Sequence, residues 1–474
     1  MPLRPARPGS FAHRIADGGH TKRFFELYTP PGVPSVIVHD QCDHNEYMSL
    51  RNRVQMVCPP VQEHALRDLR RFARVMARAI GRVEPLSGEW VCRYSGRKRR
   101  LYRRAQTELA VKPLHRKDRT VRAFIKAEKL PDEPKDPRMI QARGPRFNLH
   151  FGDYTRALEA HLYKLTGKRL PGWLPPSRVL AKGLNLRDRA RCIATKFGRF
   201  PRCYSLDLSR FDAHVSRELL GVGHLVYLTC FRNDPMLRRL LAWQLNNNCY
   251  CRHWHYNSIG GRMSGDMDTA LGNCLLMLAM VAVGMKRLSI PPSKWDCFVD
   301  GDDTLLFTLE DITELPGIFR AMGQELKVEQ VSETLEGIQH CQTRPVLTGR
   351  GLIMVADPIR VLARTLVGCQ HWHDRRFWRP YLGLLGFCGL ALHSGVPVLQ
   401  AYSEMLIRWS GGAMPRKLGV ADVSFKALIE LRSFTPCHTP ITPEARASFC
   451  LAWGMEPDEQ RWYEQLFVAT PPPW

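Results

Sequence analysis

The hydrophobic pattern of the chain predicts two strand segments that carry carboxylates among apolar residues. The first covers Cys203–Leu208 and includes Asp207. The second is a hairpin over 296–308, because two apolar runs enclose an Asp-Gly turn that carries Asp302 and Asp303. Ionised carboxylates are costly beside buried strand residues unless cations compensate their charge. The pattern therefore indicates a site for divalent cations, which prefer oxygen ligands.

Helical periodicity surrounds these strands. A basic amphipathic helix is predicted over 62–80, and its apolar side consists of Leu66, Leu69, Ala73, Val75 and Met76. Further helices are predicted over 151–165, 215–231 and 269–285. We expect an extended arm over 1–60 with a short strand at 35–39, and a mainly helical region after about residue 349. These elements together indicate an α+β fold.

Length and composition limit the class of protein. A chain of 474 residues is too long for one hydrophobic core, so two or three subdomains are expected. The 15 cysteines are odd in number and scattered, which favours reduced thiols in a cytosolic protein. The most apolar stretches, near 275–285 and 381–392, are too short or too rich in glycine to span a bilayer. We therefore expect neither a transmembrane segment nor a signal peptide.

Positive charge is the unusual property of the composition. Lys and Arg number 69 against 45 Asp and Glu, a net charge of +24. Residues 93–146 contain 18 basic and 6 acidic residues, which is half of that net charge. Such an excess favours a nucleic acid as partner, before an anionic membrane. Aromatic and aliphatic residues interleave with the charges, so we expect the segment to fold and to turn its charge inward or into a groove. The alternative is a solvated basic face.

An alternating set of cysteines and histidines resembles a zinc site only superficially. The set consists of Cys249, Cys251, His253 and His255. Alternation would place all four on one face of a strand, too close together for tetrahedral coordination. We therefore do not predict a metal site there.

The paired carboxylate segments suit phosphoryl transfer. Two magnesium ions about 3.5–4 Å apart can stabilise the attacking and the leaving oxygen, and they require a few carboxylates plus substrate phosphate as ligands. Asp207 and Asp302 are the candidates to bridge such ions, with Asp303 alongside. The alternative is an Asp-rich turn on the surface.

A glycine-rich loop between the two segments leads into a helix. Ser264 lies in this loop, which we expect to be flexible, whereas Thr269 and Asn273 are four residues apart on one helical face. Asp212, five residues after Asp207, either caps the following helix or accepts a hydrogen bond from a ribose hydroxyl. The helical pair suits contact with Asp212 and a sugar; the alternative is a helix cap and an exposed Asn.

Several cations are candidates for binding phosphate or moving a proton. Lys126, Lys129, Lys135 and Arg138 lie in a turn-rich segment and are predicted to hold triphosphate oxygens. Lys327 is a candidate proton donor to the leaving pyrophosphate, although an isolated lysine is more often a surface residue.

The order of these motifs resembles viral RNA-dependent RNA polymerases of positive-strand RNA viruses, most closely the tombusvirus-like group that includes carmoviruses and umbraviruses. The similar segments are 207–215 (motif A), 264–273 (motif B), 301–303 (motif C), Lys327 (motif D), 341–346 with Cys341 and Gln342 (motif E, the primer grip) and 124–148 (motif F). The resemblance covers roughly residues 20–360. Asp268 departs from it, because many relatives have Asn at that position.

The resemblance implies a closed right-hand fold with an antiparallel palm sheet flanked by helices. Residues 1–199 would form an N-terminal arm and fingers, and residues 200–348 the palm, with a fingers insertion near 232–260. Residues 349–474 would form the thumb.

The resemblance also implies an activity and its partners. The chain would synthesise RNA on an RNA template from ribonucleoside triphosphates, with two Mg²⁺ or Mn²⁺ ions. Besides template and nascent RNA, a membrane-anchored viral replication protein is an expected partner. We expect the chain in a membrane-associated replication complex of the host cytoplasm, attached through that partner or through an upstream fused region.

Two other functions compete with this interpretation. A reverse transcriptase usually has an aromatic steric gate where this chain has Asp212, and Tyr-x-Asp-Asp rather than Gly-Asp-Asp. An RNA-packaging protein would explain the charge but not the carboxylates at the ends of strands.

Overall fold

The computed structural model describes residues 11–14, 25–131, 136–368, 375–413 and 435–473. Its helices are α1 (Asp43–Ser49), α2 (Glu63–Ile80), α3 (Gly96–Val111), α4 (Pro145–Leu162), α5 (Leu186–Arg199), α6 (Phe211–His214), α7 (Arg217–Cys230), α8 (Pro235–Gln244), α9 (Thr269–Arg287), α10 (Leu315–Ala321), α11 (Pro358–Thr365), α12 (Arg375–His393), α13 (Leu399–Ser410), α14 (Pro443–Trp453) and α15 (Pro457–Ala469).

The strands are β1 (Phe11–Arg14), β2 (Phe25–Glu26), β3 (Val36–Val38), β4 (Val121–Ile125), β5 (Lys129–Pro131), β6 (Met139–Arg143), β7 (Cys203–Leu208), β8 (Asn246–Tyr250), β9 (Trp254–Ile259), β10 (Trp295–Asp300), β11 (Asp303–Thr308), β12 (Leu326–Ser332), β13 (Thr343–Thr348), β14 (Gly351–Ala356) and β15 (Val367–Gly368). The protein thus contains helices and mainly antiparallel sheets, which agrees with the predicted α+β class.

A four-stranded antiparallel sheet in the order β10–β11–β7–β12 forms the centre of the fold. The predicted strand at 203–208 and the predicted hairpin are both confirmed. Alternate side chains of this sheet enter two different cores. Cys297 and Leu306 pack with α2, α7 and α9, whereas Phe298 and Phe307 pack with α5. Helices therefore flank both faces, which explains why β10 is buried at every position.

Helix α9 is the core helix beneath this sheet. Every residue from Leu271 to Met285 is buried, and the helix contacts α2, α7, α10 and β10. Within the described residues, α9 is the one helix with enough length and apolarity to cross a membrane, but 83% of that apolar window is buried inside the protein. Its apolar composition is accounted for by its place in the core.

A second sheet has the strand order β1–β9–β8–β4–β6. The pair β4–β8 is parallel and the other pairs are antiparallel. One face is buried through Val121, Ala123 and Tyr256, which pack against Leu50. The expectation that the alternating cysteines and histidines share one strand is wrong.

Those four residues instead belong to the β8–β9 hairpin. Cys249 lies on β8 and His255 on β9, while Cys251 and His253 lie in the connection between them. The alternating pattern predicted a single strand, but the chain turns between Tyr250 and Trp254 and forms a tight hairpin.

The N-terminal region is only partly extended. The strand predicted at 35–39 is confirmed as β3, but α1 and a following π-helical turn at Leu50–Val54 replace the extended chain that was expected there. β3 pairs with β5, and β2 pairs with β15 near the C-terminal helices. Two further hydrogen bonds, from Leu27 N to Leu366 O (3.0 Å) and from Tyr463 Oη to Pro31 O (3.1 Å), attach the arm to that helical region.

The C-terminal region after 349 is mainly helical, as predicted, with the exception of β14 and β15. Its helices surround a separate apolar core that includes Leu362, Tyr402 and Phe449. The predicted boundary between 348 and 349 falls in the turn of the β13–β14 hairpin. The division into three domains stays a prediction.

The basic segment 93–146 divides into two parts. Helix α3 buries only Tyr102 and Ala105, and its Arg97, Lys98 and Arg103 are exposed, so the expectation of inward charge is wrong for this helix. In the later part, residues 126–130 and 138–141 do line a groove. The difference follows from packing, because α3 lies on the outside of α4.

Candidate active site

Asp207 lies between a lysine and an aspartate on neighbouring strands. Lys327 of β12 is directly opposite Asp207. On the other side β7 pairs Leu206 with Thr304, so one further step of the antiparallel register brings Asp303 level with Asp207. Opposite residues of antiparallel strands project from the same face. The strand register therefore brings together three of the residues predicted for catalysis.

Asp302 occupies the turn between β10 and β11. Gly301, before it, has a φ of +78°, a conformation that favours glycine. Burial, followed by the negative charges of Asp212 and Asp207, raises the pKa of Asp302. Partial burial of its carboxyl group, followed by the charges of Asp302 and Asp300, raises the pKa of Asp303 to about 6, even though the residue as a whole is exposed. These carboxylates repel one another, and cations would relieve that repulsion.

A buried ion-pair network holds Asp300, the last residue of β10 before the turn that carries Asp302. Asp300 pairs with Lys182 and with Arg189, whose Nη2 lies 2.7 Å from Oδ2. Burial alone would raise the pKa of Asp300, but the two cations overcome it and hold the pKa well below its usual range. Arg189 Nη1 also lies 3.6 Å from Cys341 Sγ, so the network joins the turn to the predicted primer grip.

Asp212 and Asn273 are hydrogen-bonded to each other. Asn273 Nδ2 donates to Asp212 Oδ1 over 2.7 Å. Asp212 lies within α6, and Ser216 caps the following helix α7, so the capping alternative for Asp212 is wrong. Asn273 is buried rather than exposed. Burial raises the pKa of Asp212, against the opposing effects of Asn273 and the positive charge of Arg262.

The loop before α9 is held by a buried polar network. Arg262 Nη1 pairs with Asp268 over 2.6 Å, and Gln244 Nε2 donates to Asp268 Oδ1 (3.0 Å) and to Asp266 Oδ2 (3.1 Å). Arg143 also pairs with Asp266, and neither member of that pair is accessible. Asp268, which departs from the family pattern, is therefore a fully buried structural partner of Arg262.

Thr269, a predicted sugar contact, and Ser264, a predicted nucleotide-binding residue, already have hydrogen-bond partners within the protein. Thr269 Oγ1 donates to the carbonyl oxygen of Met263 over 2.8 Å. Ser264 Oγ donates to Met139 O and accepts from the backbone of Gln141, both at 3.2 Å. The two bonds of Ser264 attach the loop to β6, whereas the sequence predicts a flexible loop.

A basic groove of about 1120 Å³ opens above Asp207, Asp212 and Asp302. Lys126, Lys129 and Arg138 line it as predicted, and Lys135 lies outside the described residues. Five arginines that were not predicted as phosphate ligands also line the groove, namely Arg53, Arg210, Arg262, Arg360 and Arg364. Arg210 lies within motif A and Arg262 just before motif B, whereas Arg53, Arg360 and Arg364 come from segments that no motif marks.

Partners already restrain the predicted phosphate ligands. Lys126 and Arg138 both pair with Glu128, with a distance of 3.2 Å for Arg138 Nη1, and the side chain of Lys129 donates to Arg364 O over 2.9 Å. Lys126 and Arg138 remain partly exposed to the groove and can reorient towards an anion. Lys129 instead joins the groove to α11.

The predicted primer-grip residues lie at the edge of this groove. Cys341 and Gln342 have positive φ angles of 51° and 61°, so the chain reverses sharply before β13. Gln342 lines the groove.

A family model described as viral RNA dependent RNA polymerase matches residues 19–472. The chain belongs to this family. It is 33% identical over 442 residues to the RNA-directed RNA polymerase of Tobacco necrosis virus (strain A), covering 90% of this chain and 59% of the relative. The corresponding enzymes of Carnation mottle virus (31% over 426 residues, 86% and 54% covered) and Turnip crinkle virus (33% over 411 residues, 83% and 52% covered) are similar. The chain spans just over half the length of these curated relatives.

Viral RNA-dependent RNA polymerases generally use divalent metal ions. The carboxylates of this site supply oxygen ligands, which such ions prefer. Within the described ranges, no group of three or more His, Cys, Asp or Glu side chains is close enough together to hold an ion unaided. Mg²⁺ commonly takes one or two carboxylates together with substrate phosphates, rather than a complete protein cage. An open set of carboxylates beside a basic groove is consistent with that mode of binding.

Proposed function

We propose that this chain is an RNA-directed RNA polymerase, which replicates a positive-strand viral RNA genome from ribonucleoside triphosphates. The observation that carries the proposal is the convergence of Asp207 with the Asp302–Asp303 turn, where adjacent strands meet the basic groove. Family membership gives independent support.

Asp207, Asp302 and Asp303 would hold two divalent cations, Mg²⁺ or Mn²⁺. Such ions supply charge stabilisation for the attacking hydroxyl and the leaving pyrophosphate. The mutual repulsion of Asp302 with Asp212 and Asp207 supports this assignment, because a carboxylate cluster of this kind is stabilised by positive charge.

The cations of this chain have separate roles in the proposal. Lys126 and Arg138 would exchange their contacts with Glu128 for triphosphate oxygens, with forked contacts from the arginine. Lys327 would donate a proton to the leaving pyrophosphate, and its position opposite Asp207 supports that role. Lys129 and Lys135 are assigned to triphosphate binding by the family resemblance.

Asp212 and Asn273 would recognise the ribose. Asn273 occupies one carboxylate oxygen of Asp212 and thereby orients the other. Oδ1 of Asn273 is buried and has no hydrogen-bond partner in the described structure, so it is an unsatisfied acceptor to which a sugar hydroxyl would donate after a local rearrangement that opens access to it. The family resemblance assigns Ser264 and Thr269 to the same substrate; their bonds to backbone carbonyls favour an indirect role through the loop.

A closed right hand is the architecture that we propose for the whole chain. Residues 1–199 would form the arm and fingers, 200–348 the palm and 349–474 the thumb, with Cys341 and Gln342 in the primer grip. The pairing of β2 in the N-terminal arm with β15 supports closure between the first and last regions.

RNA template and nascent RNA are the proposed nucleic-acid partners. We further propose that the polymerase works in the host cytoplasm, in a membrane-associated complex that it reaches through a membrane-anchored viral replication protein or an upstream fused region. The burial of α9 supports attachment by such means rather than through this helix.

The test of this function is nucleotide incorporation by the purified chain. With Mg²⁺ or Mn²⁺ it should extend RNA on an RNA template and prefer ribonucleotides. Preference for deoxyribonucleotides would favour a reverse transcriptase. Binding of RNA without any incorporation would favour a packaging protein and refute the proposal.

A further inference from the structure

The outward face of the second sheet carries exposed aromatic side chains on neighbouring strands. In β4 the side chains of Val121, Ala123 and Ile125 are buried, so Arg122 and Phe124 project to the other side. The parallel pairing of β4 with β8 places Arg122 beside Tyr250. Strand geometry therefore brings a cation and two aromatic rings onto one surface.

These rings are accessible on a sheet that is otherwise well packed. Phe124 is 48% exposed and Tyr250 is 41% exposed. Tyr250 stacks on His255 of β9, with 4.3 Å between ring centroids and 12° between the ring planes. The stacked pair presents a rigid aromatic surface, which can receive a flat ligand at small conformational cost.

The charge of this face suits a polyanion. Arg122 is exposed within β4, and Arg252 is exposed at the tip of the β8–β9 hairpin. The outward positions of β4, β6, β8 and β9 are occupied by Arg, His, Asn and apolar or aromatic residues, and none of them is Asp or Glu.

The face is continuous with the catalytic groove. Ile140 of β6 is directly opposite Phe124 and lines the groove. Lys126, which follows β4, lines it as well. A strand that leaves the groove past Ile140 would therefore reach Phe124 first and then Tyr250.

We propose that this face is a stacking site for single-stranded RNA, at which template bases pack on Phe124 and on the Tyr250–His255 pair, while Arg122 contacts the backbone. Its assignment to template rests on the proposed polymerase function. Exposed rings with neighbouring cations suit unpaired bases, because every base offers a flat π-face whereas the bases of a duplex are already stacked. The site lies outside the groove and needs no contact with Asp207 or Asp302.

The experiment compares templates with short and long single-stranded overhangs. The variants are Phe124→Ala, Tyr250→Ala and Arg122→Ala. Matched controls are Trp462→Ala and Arg74→Ala, which remove an exposed ring and an exposed cation elsewhere on the surface. Wild type should bind the long overhang more tightly than the short one, and each aromatic variant should lose about tenfold in affinity for the long overhang alone. Affinity for the short overhang and the controls should remain at wild-type level.

Three other outcomes would be informative. If the wild type incorporates nucleotides and the variants bind long and short overhangs as it does, the stacking site is refuted while the polymerase function stands. If the variants bind RNA normally but fail to associate with another viral protein, the face is a protein interface and the proposal is wrong. If the wild type binds single-stranded RNA through these residues but incorporates nothing, the stacking site stands and the polymerase function fails.

Discussion

Asn273 of the core helix α9 donates a 2.7 Å hydrogen bond to Asp212, which lies just after the strand that carries Asp207. This bond positions a carboxylate beside the predicted metal ligands without using it as a helix cap. It also joins the segment after β7 to the helix beneath the sheet.

Asp212→Ala and Asn273→Ala should each weaken the preference for ribonucleotides, because the contact with the sugar hydroxyl is lost. Loss of one such hydrogen bond corresponds to about a tenfold fall in discrimination. Competition between ribo- and deoxyribonucleoside triphosphates in single-nucleotide incorporation measures it. Ser216→Ala is the control, because loss of that cap should cost about 1 kcal/mol of stability and leave discrimination unchanged. Unaltered discrimination in both variants would remove these residues from ribose recognition.

Asp268→Asn should destabilise the protein even though it introduces the amide expected in relatives. The substitution leaves the buried guanidinium of Arg262 without its charge partner, which costs about 3–5 kcal/mol. Denaturant unfolding measures the loss. The double variant Asp268→Asn, Arg262→Gln should recover much of it, because no unpaired charge remains. Equal stability of wild type and Asp268→Asn would mean that the pair contributes little.

Lys327→Ala should slow nucleotide addition by about 10²-fold or more, because a proton donor to the leaving group is removed. Pre-steady-state incorporation with saturating substrate isolates this step, and RNA affinity should change little. Lys294→Ala removes another exposed lysine, which pairs with Glu310, and should have no effect on the rate. A wild-type rate of incorporation in Lys327→Ala would mean that Lys327 is a surface lysine and not the proton donor.

Acidification should weaken the fold through His224. Burial lowers its pKa to about 4, so the folded protein keeps the ring neutral where the unfolded chain takes up a proton. The stability from this group is therefore present above about pH 6.5 and is lost as the pH falls towards 4, by about 3 kcal/mol at most.

The measurement is denaturant unfolding of wild type and His224→Gln across that pH range. The variant should lose stability less steeply, and His393, whose pKa burial also lowers to about 4, should supply a remaining slope. Parallel pH profiles for the two proteins would contradict the role of His224.

Local patterns predicted the strand that carries Asp207 and the hairpin that carries Asp302 and Asp303, because neighbouring residues specify both elements. The Asp-Gly turn and its flanking apolar runs specify the β10–β11 hairpin, and helical spacing placed Asn273 on the face that meets Asp212. The same reasoning missed α1, whose residues carry no clear apolar period, and placed the charges of α3 inside although they lie outside.

Contacts between segments that are far apart in the sequence could not be predicted from local patterns. Lys182, which precedes α5, and Arg189 of α5 meet Asp300 only when this segment packs against β10, and Arg360 reaches the groove from the C-terminal region. Nothing near these residues in the sequence distinguishes them from surface cations. The buried partner of Asp268 also depends on a pair, with Arg262, whose burial the sequence does not reveal.

The most direct test is single-nucleotide incorporation by Asp302→Asn and Asp207→Asn beside the control Asp458→Asn, which changes a 97% exposed carboxylate. Each asparagine keeps the shape of the side chain and removes the charge that would hold a divalent cation. Both catalytic variants should fold and bind RNA like wild type yet incorporate no nucleotide with Mg²⁺ or Mn²⁺, whereas Asp458→Asn should be fully active. Undiminished incorporation by either Asp302→Asn or Asp207→Asn would contradict the account.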